Sequence, residues 1–304
     1  MENEKSVIII GSGPAGYTAA LYAARAGLKP LMITGQKIGG QLTDTNDVEN
    51  FPGYREPVTG PKMMEDFRYQ AEKFGTEIIE SYIEYVDTSQ YPYVIKDHRG
   101  TAYKAKSIII STGAETKWLG IESETKYRGM GVSSCATCDG FFYKDLTVIV
   151  IGGGDTAAEE ALYLSNICKS VIVLVRGNDM KASKIMQNRL FDNDKIIVHF
   201  NTHIEEILGE ENKGVTGVRI GSGDVLQCDG IFVAIGHNPS TEIFKNIIDL
   251  DDDGYIITKL KSTETSIDGV FACGDVQDKK YRQAITAAGT GCMAALDAEK
   301  YLSK

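Results

Sequence analysis

The chain has 304 residues, 42% hydrophobic and 24% charged, with 32 Lys and Arg against 42 Asp and Glu for a net charge of −10. This composition excludes a disordered, collagen-like or disulfide-stapled polypeptide and suits a folded protein of about two domains. The acidic balance argues against nucleic acid as a primary partner, because neutralising phosphates takes clustered Lys and Arg.

Residues 1–6 are polar and charged and lead straight into Val7-Ile8-Ile9-Ile10. Four apolar residues are too few for a signal-peptide core or a membrane span, so the expectation is a cytoplasmic chain with no membrane partner. Gly11-Ser12-Gly13-Pro14-Ala15-Gly16 follows, then a helical pattern through residues 19–24 ending near Gly27, then a short strand at 31–33. Strand-rich stretches are expected at 78–86 and 93–110, and Ser111-Thr112-Gly113-Ala114 reads as a linker. At mid-chain the opening pattern returns. Val148-Ile149-Val150-Ile151 precedes Gly152-Gly153-Gly154-Asp155-Thr156-Ala157, a helix through 158–164 and a strand at 171–175. Ile235-Gly236-His237-Asn238-Pro239 reads as a return linker, and Asp251-Asp252-Asp253-Gly254 as a turn. A strand-like stretch at 269–273 and a small-residue helix at 284–302 close the chain.

The glycine pattern has a physical meaning in this strand–turn–helix–strand context. The first glycine permits the tight turn and the second lets backbone approach a pyrophosphate. The third position, Gly16 or Ala157, lets the helix pack closely on the strand. The free N–H groups at the helix start then hold phosphate. Two copies in one chain point to two dinucleotides and to electron transfer between them. The expected fold class is α/β, with two doubly wound Rossmann-like nucleotide-binding domains.

Cys135-Ala136-Thr137-Cys138 is the sharpest chemical feature. Cysteines three apart on a helical turn can close a small disulfide ring and present one activated thiol. A zinc site would need a second ligand pair at the right distance, and Cys168, Cys228, Cys273 and Cys292 offer none, so no metal is expected. Asp139 follows directly, either as a turn cap or as a general acid beside the thiol, and spacing alone favours neither. Cys273 and Cys292 sit among small or apolar residues and read as buried hydrophobes, and Trp118 as packing near a domain seam.

The run Ser134-Cys135-Ala136-Thr137-Cys138-Asp139-Gly140-Phe141-Phe142-Tyr143 resembles the redox-site signature of low-molecular-weight thioredoxin reductases. Residues 11–25, Gly39-Gly40-Gln41-Leu42, Glu49-Asn50-Phe51-Pro52-Gly53, Phe271-Ala272-Cys273-Gly274-Asp275-Val276 and Tyr281-Arg282-Gln283-Ala284 are similar to that family's flavin-contacting segments, in order. The resemblance implies a nicotinamide domain inserted into an FAD domain, with FAD parts at 1–112 and 240–304 and the nicotinamide part with the cysteine pair at 113–239. It implies a homodimer and a rotation of one domain against the other. It implies FAD contacts at Gly11, Gly13, Pro14, Ala15, Gly16, Thr34, Gly35, Gly40, Gln41, Leu42, Asn50, Val86, Thr112, Gly113, Ala114, Gly274, Asp275, Arg282, Gln283 and Ala284. Nicotinamide-nucleotide contacts fall at Gly152, Gly154, Asp155, Thr156, Ala157, Arg176 and Lys181. Catalysis falls to Cys135, which attacks thioredoxin, Cys138, nearer the flavin, and Asp139 as proton donor.

One segment departs from the family. NADPH-using members carry paired arginines and a third further on, which grip the 2′-phosphate. Here the run is Val175-Arg176-Gly177-Asn178-Asp179-Met180-Lys181, with one arginine kept. NADPH is the expected donor, with NADH, use of both, or a ferredoxin as alternatives. The expected acceptor is thioredoxin, with another thioredoxin-like or peroxiredoxin-type protein as the alternative. A redox-sensing flavoprotein is the non-enzyme reading.

Overall fold

A computed structural model describes residues 4–45, 47–210 and 212–304. It divides the chain into two units, residues 1–115 with 238–304, and residues 116–237. An unbroken apolar run such as Val7-Ile8-Ile9-Ile10 is satisfied only in a strand covered on both faces. In the first unit the strand Glu4–Ile10 lies between Leu31–Ile33 and Ala102–Ile110, parallel to both, with Glu77–Ile79 at the outer edge. Val7 and Ile9 face the helices Pro14–Arg25, Gly60–Lys73 and Ala284–Leu302. Ile8 and Ile10 face the opposite core, made with Ile83, Tyr93, Ile95, Phe244 and Ile256. Each such fully buried aliphatic side chain is worth about 1.5–3 kcal/mol.

The strand Ala102–Ile110 serves two sheets' worth of pairing. Its first half pairs antiparallel with Tyr93–Asp97, and its second half pairs parallel with Val270–Ala272. The alternation of exposed and buried residues along 102–106 gives way to a fully buried run at 107–110, which matches that change of cover.

The second unit repeats the plan. Five parallel strands run in the order Val132–Ser133, Gly230–Val233, Thr147–Ile151, Ser170–Leu174, Ile196–His199. The helices Asp155–Ser165 and Lys184–Phe191 accompany them. A three-stranded antiparallel sheet, Ile204–Glu210, Gly214–Ile220 and Val225–Gln227, supplies the second core through Ile207, Val215 and Val218. The doubly wound α/β expectation holds in both units. The antiparallel sheet and the helix Gly60–Lys73 were not anticipated from sequence.

The helices Pro14–Arg25 and Ala284–Leu302 touch through small residues. A Cβ on Gly291 would lie 2.2 Å from the Ala15 carbonyl oxygen. Gly291→Ala is therefore expected to cost about 1–3 kcal/mol of stability through overpacking. Urea unfolding checks this, and an unchanged midpoint would contradict the assigned contact.

Candidate functional site

In each unit the chain reverses strand order beside its central strand, and such switch points are where α/β sheets bind ligands. In the first unit Gly11 sits there with φ +109, and a Cβ on it would meet the Ser111 carbonyl oxygen at 2.3 Å. In the second, Gly152 has φ +147, and its Cβ would meet the Ala234 carbonyl oxygen at 2.3 Å. Gly13 and Gly154, the N-caps of the two following helices, have nothing within 4 Å of an added Cβ. Neither helix start carries a side-chain cap, so its leading N–H groups are left for a ligand. These two turns fit dinucleotide phosphates.

The remaining candidates in the first unit gather around its turn. Pro14, Ala15 and Gly16 open the helix, and a Cβ on Gly16 would be 2.0 Å from the Gly11 carbonyl oxygen. Thr34 and Gly35 follow the neighbouring strand, their N–H groups donating to the Ile79 and Ser81 carbonyls. Gly40, Gln41 and Leu42 form a short 3-10 turn, and an added Cβ on Gly40 would lie 3.3 Å from the Gly13 Cα. Gln41 donates to the Ala114 carbonyl, and Asn50 Nδ2 donates to Gln283 Oε1 at 3.5 Å. Thr112 Oγ1 donates to the Ser240 carbonyl, and Gly113 accepts from the Ser240 N–H. Arg282, with φ 45, donates to the Lys279 carbonyl, and Gln283 caps the helix that begins at Ala284. Val86 stands apart, since its side chain is buried among Ile83, Tyr93 and Ile95 and only its backbone is left to meet a ligand.

Burial pushes the Asp275 carboxyl up to about 7, with Asp278 adding to the rise and Arg282 opposing it. Among the described residues nothing donates a hydrogen bond to it. A carboxyl left in that condition fits the hydroxyls of a flavin's ribityl chain. Two polar residues missed from sequence hold the cradle. Ser12 Oγ donates to the Thr34 carbonyl at 2.8 Å and accepts from the Gly39 N–H at 3.0 Å. Thr290 Oγ1 accepts from the Gly274 N–H at 2.9 Å. A serine inside a glycine turn and a threonine two helical turns past the cap carry no sequence signal of such roles.

Cys135 and Cys138 form a disulfide with Cα atoms 5.3 Å apart, on the turn Ala136–Asp139. The N–H groups of Cys138 and Asp139 both donate to the Cys135 carbonyl, which closes the turn. Ser133 Oγ accepts from the Cys135 N–H at 3.1 Å, and Thr137 Oγ1 lies 3.4 Å from Cys135 Sγ. Burial raises the Asp139 carboxyl above its ordinary value, and a hydrogen bond with Ser133 opposes the rise. Ser133 thus serves both ends of the turn, and sequence reasoning did not single it out.

The other cysteines differ in kind. Burial pushes Cys168 up to about 11 and Cys228 and Cys273 up to about 12, so these stay neutral thiols. Cys292 corrects an expectation, because it is half-exposed, beside Tyr22, whose hydroxyl it raises above the ordinary value. Trp118 packs inside the second unit under the Arg128 guanidinium, 4.0 Å from the ring centroid. Among the described residues no group of three or more His, Cys, Asp or Glu is placed to hold a metal. No helix there is long and apolar enough to cross a membrane.

Gly152, Thr156 and Ala157 line the second turn, and Asp155 Oδ1 accepts from the Ser183 N–H at 2.8 Å. Arg176 and Lys181 are exposed on the loop after the neighbouring strand, and neither has an ion pair among the described residues.

Residues 5–291 match the family model described as pyridine nucleotide-disulphide oxidoreductase. The chain is 55% identical over 310 residues to a thioredoxin reductase of Rickettsia conorii, covering 100% of both. It is also 50% identical over 307 residues to a protein of Pseudomonas fluorescens named glucosaminate ammonia-lyase, covering 97% of this chain and 95% of that one. A solved thioredoxin reductase from Giardia duodenalis superposes with a TM-score of 0.95 at 38% identity, covering 99% of this chain and all of that one.

The raised Asp139 value makes a pH prediction. Relative to an unshifted carboxyl, its contribution to stability is fully present below the ordinary value of 3.8 and is lost as pH rises through the raised folded value. Asp139→Asn is expected to keep or raise Tm at neutral pH. It should slow disulfide exchange on the order of 10²-fold and flatten the fall in rate with rising pH. A full rate in the variant would remove the acid role.

Proposed function

The chain belongs to the pyridine nucleotide-disulphide oxidoreductase family, and from that premise we propose that it is an FAD-dependent thioredoxin reductase. Electrons pass from NADPH through the Cys135–Cys138 disulfide to an oxidised thioredoxin. The observation that carries this reading is a closed disulfide followed directly by a carboxyl that burial raises above its ordinary value. It occurs in a chain with two uncapped glycine turns. A lyase would have no use for that disulfide.

When bound, the flavin supplies two-electron chemistry between the nicotinamide and the disulfide. Gly11, Gly13 and the helix start at Pro14 would hold its phosphates, and Asp275 would meet its ribityl hydroxyls. Reduction opens the pair to the thiols Cys135 and Cys138. Cys135 sulfur attacks one sulfur of the partner's disulfide and forms a mixed disulfide. Cys138 sulfur then attacks Cys135, regenerating the ring and releasing the partner as a dithiol. Asp139 gives a proton to each departing thiolate and takes one back from the attacking thiol, so the Cys135 and Cys138 protons end on the partner's dithiol. One dithiol and one disulfide exchange oxidation states, so atoms and electrons balance.

A protein substrate is supported by Phe141 and Phe142, 67% and 50% exposed immediately after the pair. Phe142 also lines a cavity of about 830 Å³ with Met130, Tyr143 and Leu146. The chemistry belongs in a reducing compartment, the cytoplasm. A homodimer is supported by a stripe on the helix Ala284–Leu302. Ile285, Met293 and Leu296 are exposed there at helical spacing, with Cys292 and Tyr22 of the neighbouring helix beside them.

Cys135→Ser and Cys138→Ser should each abolish thioredoxin reduction while the flavin stays bound and is still bleached by NADPH. Anaerobic stopped-flow absorbance checks both halves, and retained turnover would overturn the reading. Leu296→Asp should shift the protein from dimer to monomer in light scattering, and an unchanged mass would move the interface elsewhere.

A further inference from the structure

The loop after the strand Ser170–Leu174 is pinned on three sides. The Lys181 and Ala182 N–H groups donate to the Gly153 carbonyl at 2.7 and 3.0 Å, which ties the loop to the glycine turn. Gln187 Nε2 donates to the Met180 and Ala182 carbonyls at 3.1 and 2.7 Å. The Asn201 N–H donates to the Gly177 carbonyl at 2.8 Å. Met180 and Ala182 are buried, so the loop is a fixed platform, and Arg176, Asp179 and Lys181 stand exposed on it. Among the described residues none of the three has an ion pair within 4.0 Å, although two cations and an acid share six residues. A platform beside the glycine turn is where a dinucleotide's adenosine ribose falls.

Gly177 is demanded by nothing in the backbone. Its φ is not in the left-handed region, and an added Cβ would approach only the Asp179 backbone, at 3.6 Å. The space beside Arg176 is open because no side chain fills it. Arg176 offers one guanidinium fork for a phosphate, and Lys181 only a point charge. Exposed charge contacts are weakened by water and salt. A ribose 2′,3′-diol needs an acidic side chain, and the exposed Asp179, on the loop five residues past the strand, is the acid that this platform offers.

We propose that this site accepts both NADPH and NADH, Arg176 and Lys181 meeting the 2′-phosphate of one and Asp179 the 2′,3′-diol of the other. The inference rests on the reading of this unit as a nicotinamide-nucleotide site and gives it a broader donor range. Gly177 and Asp179 are the residues that set the range.

The test is calorimetric titration of the flavin-loaded enzyme with 2′,5′-ADP and with 5′-AMP, which differ only at the 2′ position. Two exposed contacts predict a preference for 2′,5′-ADP of about tenfold, shrinking as salt rises. Lys181→Gln should weaken 2′,5′-ADP about fivefold and leave 5′-AMP unchanged. Asp179→Asn should weaken 5′-AMP and NADH alone, and Gly177→Arg should raise the preference by about another tenfold. A wild-type preference above about 10³-fold, no binding of either fragment, or 5′-AMP affinity indifferent to Asp179→Asn would each overturn the proposal. Binding in the expected ratio without thioredoxin reduction from either donor would sustain it and refute the assigned enzyme activity instead.

Discussion

Everything else in the first unit depends on a close approach of backbone to backbone at the turn after its central strand. Gly11 passes so near the Ser111 carbonyl, and Gly16 so near the Gly11 carbonyl, that no side chain fits at either place. That approach brings the start of the helix Pro14–Arg25 over the strand ends with its N–H groups free. It also sets the helix against Ala284–Leu302, where Gly291 meets Ala15. The same constraint returns at Gly152 and Ala234. The cradle is thus a consequence of close packing, and Ser12 and Thr290 fasten its edges by hydrogen bonds.

The redox turn follows a different logic. Of six cysteines, three are buried where desolvation keeps them neutral and unreactive. Cys135 and Cys138 lie on a turn closed by backbone donors to the Cys135 carbonyl, half-exposed and already joined. The same desolvation that silences Cys273 raises the Asp139 carboxyl above its ordinary value and so favours its proton-bearing form. Burial is the variable that sorts these groups, and it cannot be seen in spacing.

Legibility was greatest where the signal was contiguous. The strand, turn and helix at 7–25 and at 147–165 each lie within about twenty residues, and each carries its own periodicity and punctuation. The helix Gly60–Lys73 was overlooked although Thr59 caps it and a proline sits in its first turn. The antiparallel sheet at 204–227 was overlooked because its strands alternate only loosely, with register shifts in the first pair. Val86, a position associated with a cofactor by resemblance, has its side chain in the core, which leaves its backbone for such a contact.

The sequence by itself determined the α/β class, the two glycine turns, the cysteine pair and the departure at Gly177, because each is a local pattern whose chemistry is fixed by residue type and spacing. Only the tertiary structure decided which polar groups serve the site. Ser12, Ser133 and Thr290 gain their roles from partners distant in sequence or from the path of the backbone. It also decided that Cys292 is half-exposed, that burial raises the Asp139 and Asp275 carboxyls above their ordinary value, and that Gly177 leaves open space. Exposure, desolvation and free volume are properties of what surrounds a residue, and those surroundings are assembled from segments up to hundreds of residues apart.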